Sequence, residues 1–277
     1  HYPAYVHWHT PSQYPSTAKL PRCARNGSAA FDRSKAAYLA VFIHDNRIYN
    51  TNLSGIWIFG TGDFTELTCG YVKVYNNLIY HTGNKQNFGA HEGGTGGILV
   101  CGFDADITNN TIDDCYGFGI GTLEVYHKDY TPPAMTYTIN IENNIITRTK
   151  PHSQVTGTTG YGIYNPNLGL SGVVHNYVMS YNCLNNANDY FPTTTAHPTD
   201  IKEEPMYANA DNLDPLVLPL NSRDYHLKSH GGRYNSGSWT VVLDNAVSPC
   251  VDAGNPGSDY SREPFYNGDR VNMGRFG

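Results

Sequence analysis

The sequence predicts an all-β fold, a single-stranded right-handed parallel β-helix, and three observations carry that expectation. The first is a recurring Asn bend: IHDNRI (Ile43 to Ile48), VYNNLI (Val74 to Ile79), ITNNTI (Ile107 to Ile112), IENNII (Ile141 to Ile146) and VHNYV (Val174 to Val178). Its reference residues Asn46, Asn77, Asn110, Asn144 and Asn176 are separated by 31, 33, 34 and 32 residues, a period that belongs to stacked repeats. The second is a Gly-led apolar strand after each bend, with Gly55, Gly97, Gly119 and Gly162 as equivalents. The third is alternation beside the bends, as in Val72, Val74 and Leu78 or Ile139, Ile141 and Ile145.

Each element has a physical reason. Asn adopts left-handed backbone and bonds to nearby main chain, so it suits a sharp bend between strands. Stacked at the strand spacing of about 4.8 Å, such amides also bond to one another as a ladder. A β-sandwich with Asn in its turns is the competing reading, but it expects turns every ~8–12 residues and does not require Asn at a longer fixed register.

Residues 1–38 fall outside the repeat and either cover the first strand edge or follow earlier coils, the latter being favoured because the first coil is fully patterned. Residues 39–184 form the coils, and residues 185–277 the final coils and an irregular C-terminal cap, one continuous domain overall. The first coil carries GIWIFG (Gly55 to Gly60), and its successors carry GGILVCG (Gly96 to Gly102), GFGIGT (Gly117 to Thr122) and GYGIYN (Gly160 to Asn165). Long insertions, His81 to Gly94, Leu123 to Met135 and Arg148 to Gly160, are expected on one face, where repeat proteins often bind their ligands. The likeness of LTCGY to LVCGF places Cys69 and Cys101 on neighbouring coils, as a disulfide or as stacked thiols.

Composition narrows the function. Charged residues make up 15% of the chain and the net charge is -6, which argues against a nucleic-acid partner. No apolar stretch approaches the ~18–20 residues of a membrane span, so no membrane insertion is expected. The chain opens without Met, so a mature or excised fragment is expected, and any export signal would lie upstream. The 22 Tyr, with abundant Asn and Thr, suit a surface that stacks on sugar faces and bonds to sugar hydroxyls.

The closing stretch holds DYHL (Asp224 to Leu227), SPCVDAGNP (Ser248 to Pro256) and NGDRVNMG (Asn267 to Gly274). This order looks like the ending common to microbial surface proteins with parallel β-helix repeats, in which Asp252 and Arg270 are structural. Over Phe31 to Tyr181 together with these motifs, the sequence resembles the disaggregatase-related family of methanogenic archaea. That resemblance implies a secreted β-helix enzyme acting on an acidic, chondroitin-like polymer of uronic acid and N-acetylhexosamine.

No HExxH or spaced Cys ligand set is present, no nucleophile elbow occurs, and His7 with His9 lacks a third metal ligand. Carboxylates remain as the competent groups, and hydrolysis of a glycosidic bond needs a proton donor and a second carboxylate. Asp104 follows the Gly97 strand and Glu124 the Gly119 strand, so stacking brings them into one neighbourhood. Pairing Gly97 with Gly119 offsets them, pairing it with Gly117 stacks them directly, and the separation runs from ~5 Å to ~8 Å. Glu92, oriented or protonated by His91, is a third candidate. Trp57 is a sugar-stacking candidate, Asp63 extends the acidic row, and Lys85, His127, Lys128 and Lys150 are bases for an acidic polymer. Hydrolysis requires no cofactor. The alternatives are β-elimination, with Ca²⁺ on Asp63, Asp104 and Asp106 and Lys128 or His127 as base, and a non-catalytic carbohydrate-binding module.

Overall fold

The fold is known from a computed structural model, which describes residues 6–9, 39–59, 70–83, 95–122, 135–152, 160–166, 173–210, 223–235, 240–261, 263 and 268–276. After β1 (Val6–His9), the chain makes five similar circuits of three strands. They are β2 (Leu39–His44), β3 (Arg47–Thr51) and β4 (Ile56–Phe59); β5 (Gly70–Tyr75), β6 (Leu78–Thr82) and β7 (Gly96–Cys101); and β8 (Asp104–Thr108), β9 (Thr111–Asp113) and β10 (Phe118–Gly121). The last two are β11 (Met135–Glu142), β12 (Ile145–Thr147) and β13 (Tyr161–Tyr164), then β14 (Val173–Ser180), β15 (Cys183–Asn185) and β16 (Asn188–Tyr190).

First, second and third strands of successive circuits pair in parallel, giving three sheets, here A, B and C. The described residues contain no helix. The arrangement is a β-helix-like solenoid. β1 adds to sheet A antiparallel to β2 and covers the outer edge of that sheet, while β3 and β4 are the edge strands of sheets B and C among the described residues.

Alternation along each strand fills the interior. Val72, Val74, Ala105, Ile107, Ile139 and Ile141 of sheet A meet Ile79, Ile112 and Ile146 of sheet B and Ile98, Ile120 and Ile163 of sheet C in one buried core. At the corner from A to B, two residues share the work. Asp45, Asn76, Asn109, Asn143 and Tyr181 take positive φ, and the residue after each forms the ladder. Asn46 Nδ2 donates to Asn77 Oδ1 (2.9 Å), Asn77 to Asn110 (3.0 Å), Asn110 to Asn144 (3.0 Å) and Asn144 to Asn182 (3.1 Å).

The fifth rung is therefore Asn182 and not Asn176. Asn176 lies exposed on β14 opposite Thr138, because the fifth bend arrives 38 residues after Asn144, later than the preceding period suggested. The glycine alignment holds: Ile56 pairs with Ile98, and Phe118 pairs with Gly96 and with Tyr161, which sets Gly55, Gly97, Gly119 and Gly162 side by side. A methyl group on Gly119 would overlap Ile146 Cγ2 and sit 2.7 Å from the Gly162 carbonyl oxygen, so the stack admits only glycine.

In chain order, segments 60–69, 123–134 and 167–172 lie between strands of sheets C and A, and 84–94 and 153–159 between strands of sheets B and C; these segments, which hold most of the long insertions, lie outside the described residues. Cys101 ends a strand of sheet C as a buried thiol. Cys69 lies outside the described residues.

The C-terminal part wraps the side of the solenoid. β17 (Tyr207–Asn209) pairs antiparallel with β18 (Asp224–Leu227), and β19 (Arg233–Asn235) with β20 (Thr240–Val242). Tyr207, Tyr225, Leu227, Cys250 and Met273 pack on Leu78, Tyr80, Ile145 and Cys183, the outward residues of sheet B. The closing motifs bind one another: Asn272 Oδ1 accepts from Asp252 N (2.6 Å), and Arg270 donates to the Ala253 and Gly254 carbonyls.

Candidate functional site

Sheet A turns a different kind of surface outward. Its outward positions come from β5 (Tyr71, Lys73, Tyr75), β8 (Asp104, Asp106, Thr108) and β11 (Thr136, Thr138, Asn140, Glu142), because their neighbours Val72, Val74, Ala105, Ile107, Ile139 and Ile141 fill the core. Cross-strand register sets Tyr71 beside Asp104 and Lys73 beside Asp106, with Asn140 on the other side of Asp106.

Asp104 opens β8 directly after a two-residue corner, Gly102 and Phe103. The corresponding corners in the coils before and after carry 60–69 and 123–134, so the short corner is flanked by two long ones. Gly102 makes the turn with φ 77°. Its N–H faces His175 Nε2 at 3.4 Å, and the His175 ring stacks on Tyr137. Burial pushes the His175 imidazole down to about 4, which keeps it neutral and able to accept that bond.

The two carboxylates of β8 stand two residues apart on one face, about 6.6 Å between Cα atoms at strand rise, yet differ in surroundings. Asp104 is half-buried, and desolvation raises its pKa; the Thr138 N–H, donating to Oδ1 at 2.7 Å, lowers it, and the charge of Asp106 raises it. Asp106 Oδ1 accepts from Asn140 Nδ2 (2.6 Å) and Oδ2 from the Tyr71 hydroxyl. Two carboxyls thus share one face in unequal surroundings, the arrangement that an acid and acceptor pair needs. Beside them, Lys73 Nζ lies 5.3 Å from the Tyr75 ring centre, and His44 stacks on the same ring at 4.7 Å.

The other expected residues are placed apart. Trp57 is 44% exposed on the outer face of sheet C, in register with Leu99. Gly121 and Tyr164 continue that row, and Tyr164 stacks on Phe118 at 5.5 Å. Lys150 sits at the corner from sheet B to sheet C, ion-paired with Asp114 and 5.4 Å from the Tyr116 ring centre. Asp104, Trp57 and Lys150 therefore belong to three separate surfaces. Pairing of Gly97 with Gly119 removes the alignment that would have stacked Asp104 directly on Glu124. Glu124, Glu92, His91, Asp63, Lys85, His127 and Lys128 lie outside the described residues. Among the described residues, no group of three His, Cys, Asp or Glu side chains could hold a metal ion.

The corner that holds Lys150 is built as structure. His81, Asp114 and Arg148 stack on successive coils, all with positive φ. Asp113 is fully buried; it takes two bonds from Arg148 (2.7 and 2.5 Å), one from Thr147 Oγ1 (2.8 Å) and one from the Tyr225 hydroxyl (2.7 Å). Asp114 is held down to about 2: its burial opposes ionisation, but His81 and Lys150 outweigh that.

Sequence reasoning missed the partners of Asp104, although the ladder spacing contains them. Subtracting 33 residues from Asp104 and Asp106 gives Tyr71 and Lys73, and adding 34 gives Thr138 and Asn140. The DADIT strand itself shows the alternation that turns both Asp residues outward.

Fold and surface together define a class: a parallel β-solenoid with an outward row of carboxylates and aromatics beside a short corner. The chain belongs to the disaggregatase-related family, whose model matches residues 40–254. Comparison with curated proteins and with solved structures finds no match.

Proposed function

We propose that this chain is a secreted or cell-surface glycoside hydrolase that cleaves an acidic extracellular polysaccharide of uronic acid and N-acetylhexosamine, and that its coils form one right-handed parallel β-helix. The observation that carries the reading is the pair Asp104 and Asp106, set on one face in unequal environments. Asp104, biased toward protonation, donates to the leaving glycosidic oxygen. Asp106, oriented by Tyr71 and Asn140, is the second carboxylate and acts as base toward water. Tyr71 and Tyr75 offer faces for sugar rings, Lys73 a cation for a uronate carboxylate, and Asn140 and Thr136 polar groups for hydroxyls. Family membership supports a polymer of the matrix that holds cells together.

Incubation with a uronate and N-acetylhexosamine polymer tests this reading. New reducing ends without ultraviolet absorbance from an unsaturated uronate are expected. An unsaturated product would replace hydrolysis with β-elimination, and binding without cleavage would make the chain a binding module.

A further inference from the structure

Cys183 and Cys250 come from distant parts of the chain, 67 residues apart, and meet under the wrap. Cys183 is the first residue of β15 and points outward from sheet B. Cys250 belongs to the closing SPCVDAG stretch. Both are fully buried in the same apolar cluster, where the two thiols are neighbours, and the closing segment is fixed to the same corner as Cys183 by the Gly274 N–H donating to the Asn143 carbonyl (2.7 Å). Cys183 Sγ in turn lies 3.3 Å from the Glu203 carbonyl oxygen, to which it donates.

The backbone on each side is already pinned. Cys183 N donates to the Asn144 carbonyl (2.8 Å) in the ladder corner. Cys250 N donates to Ser248 Oγ (3.1 Å), and its carbonyl accepts from Met273 N (3.0 Å). Two neighbouring thiols on pinned backbone are the arrangement from which a disulfide forms. Cys115 differs: its sulfur accepts from Thr82 Oγ1 (3.1 Å) and lies 3.4 Å from the Asp113 carbonyl oxygen.

We propose that Cys183 and Cys250 are a disulfide-forming pair that ties the C-terminal wrap covalently to the fifth coil when the chain folds in the presence of a disulfide oxidant. One thiolate attacks the oxidant, oxidised glutathione for example, and releases one thiol. The second cysteine attacks the mixed disulfide and releases the other. The two protein sulfurs are oxidised by two electrons, the oxidant is reduced to two thiols, and the cysteine protons pass to them. Bridging so long a loop restricts the unfolded chain more than the folded one, so the bond stabilises the wrap.

Peptide mapping after folding in a glutathione redox buffer, with free thiols alkylated under denaturing conditions, tests the pair directly. Peptides containing Cys183 and Cys250 are expected as one cross-linked species that separates on reduction, with Cys115 alkylated. Reduction should lower Tm by about 5–10 °C in the native chain and leave a Cys183→Ala, Cys250→Ala double variant unshifted. Full alkylation of Cys183 and Cys250, or cross-linking of either to another cysteine, would overturn the proposal. The mapping needs no substrate, so its outcome is independent of polymer cleavage.

Discussion

Sheets A and B are built from the same coils, share the same Asn corner and present opposite outer faces. Sheet B shows Leu78, Tyr80, Ile145 and Cys183 outward, and the C-terminal wrap buries them. Its one fully buried outward carboxylate, Asp113, is met by Arg148, Thr147 and Tyr225. Sheet A shows Tyr71, Lys73, Asp104, Asp106 and Asn140, with Asn140 exposed and both Asp residues partly exposed. The difference lies at alternate positions of strands whose inward residues are interchangeable β-branched and aliphatic side chains. Polar groups on B are spent on holding the wrap, while those on A face solvent with an unequal pair of carboxyls.

Breaking the covered side should give the largest loss of stability. Arg148→Ala leaves Asp113 buried without its bidentate cation and should destabilise the fold by about 3 kcal/mol, measured by denaturant unfolding. Asn144→Ala acts on the corner common to both sheets. It removes donations to the Ile107 and Glu142 carbonyls and the acceptor for Asn110, and should cost about 2–3 kcal/mol. Lys73→Ala on the open face should stay within about 0.5 kcal/mol of the native stability, while raising KM for an acidic polymer by about tenfold. A large stability loss from Lys73→Ala would show that face A is also structural.

The smallest test uses pH, and two carboxyls give opposite signs. Asp114 is held at about 2, below its unfolded value near 3.8, so its contribution is complete above the unfolded value and is lost as pH falls from about 4 to 2. Burial raises Glu263, in the closing segment, to about 7 from 4.5; its contribution is complete below 4.5 and is lost as pH rises to about 7. Glu263→Gln should flatten the stability profile between about 5 and 7, and Asp114→Asn should flatten it between about 2 and 4, read from Tm against pH.

Much of the solenoid was legible because its signals are local and periodic. Asn46, Asn77, Asn110 and Asn144 fixed the coil length, and the Gly55, Gly97, Gly119 and Gly162 alignment fixed sheet C. Asn176 misled because a similar spacing continued through a coil that is longer, and the true rung, Asn182, follows Tyr181 in place of a second Asn. Asp104 was found from its position after a strand. Asp106 entered only as a metal ligand, because the acid pair was sought across coils and not along one strand. The burial of sheet B by residues beyond 200 had no local signal, since contacts such as Tyr225 with Asp113 join residues 112 apart.

Hydrolysis at the Asp104 and Asp106 pair is the central claim, and reducing-end release by Asp104→Asn and Asp106→Asn, each with its unfolding curve, tests it most directly. Each substitution keeps shape and removes one carboxyl, so each should lower the rate by about 10²–10⁴-fold with Tm close to that of the native chain. Full activity in both, with the fold intact, would contradict the assignment.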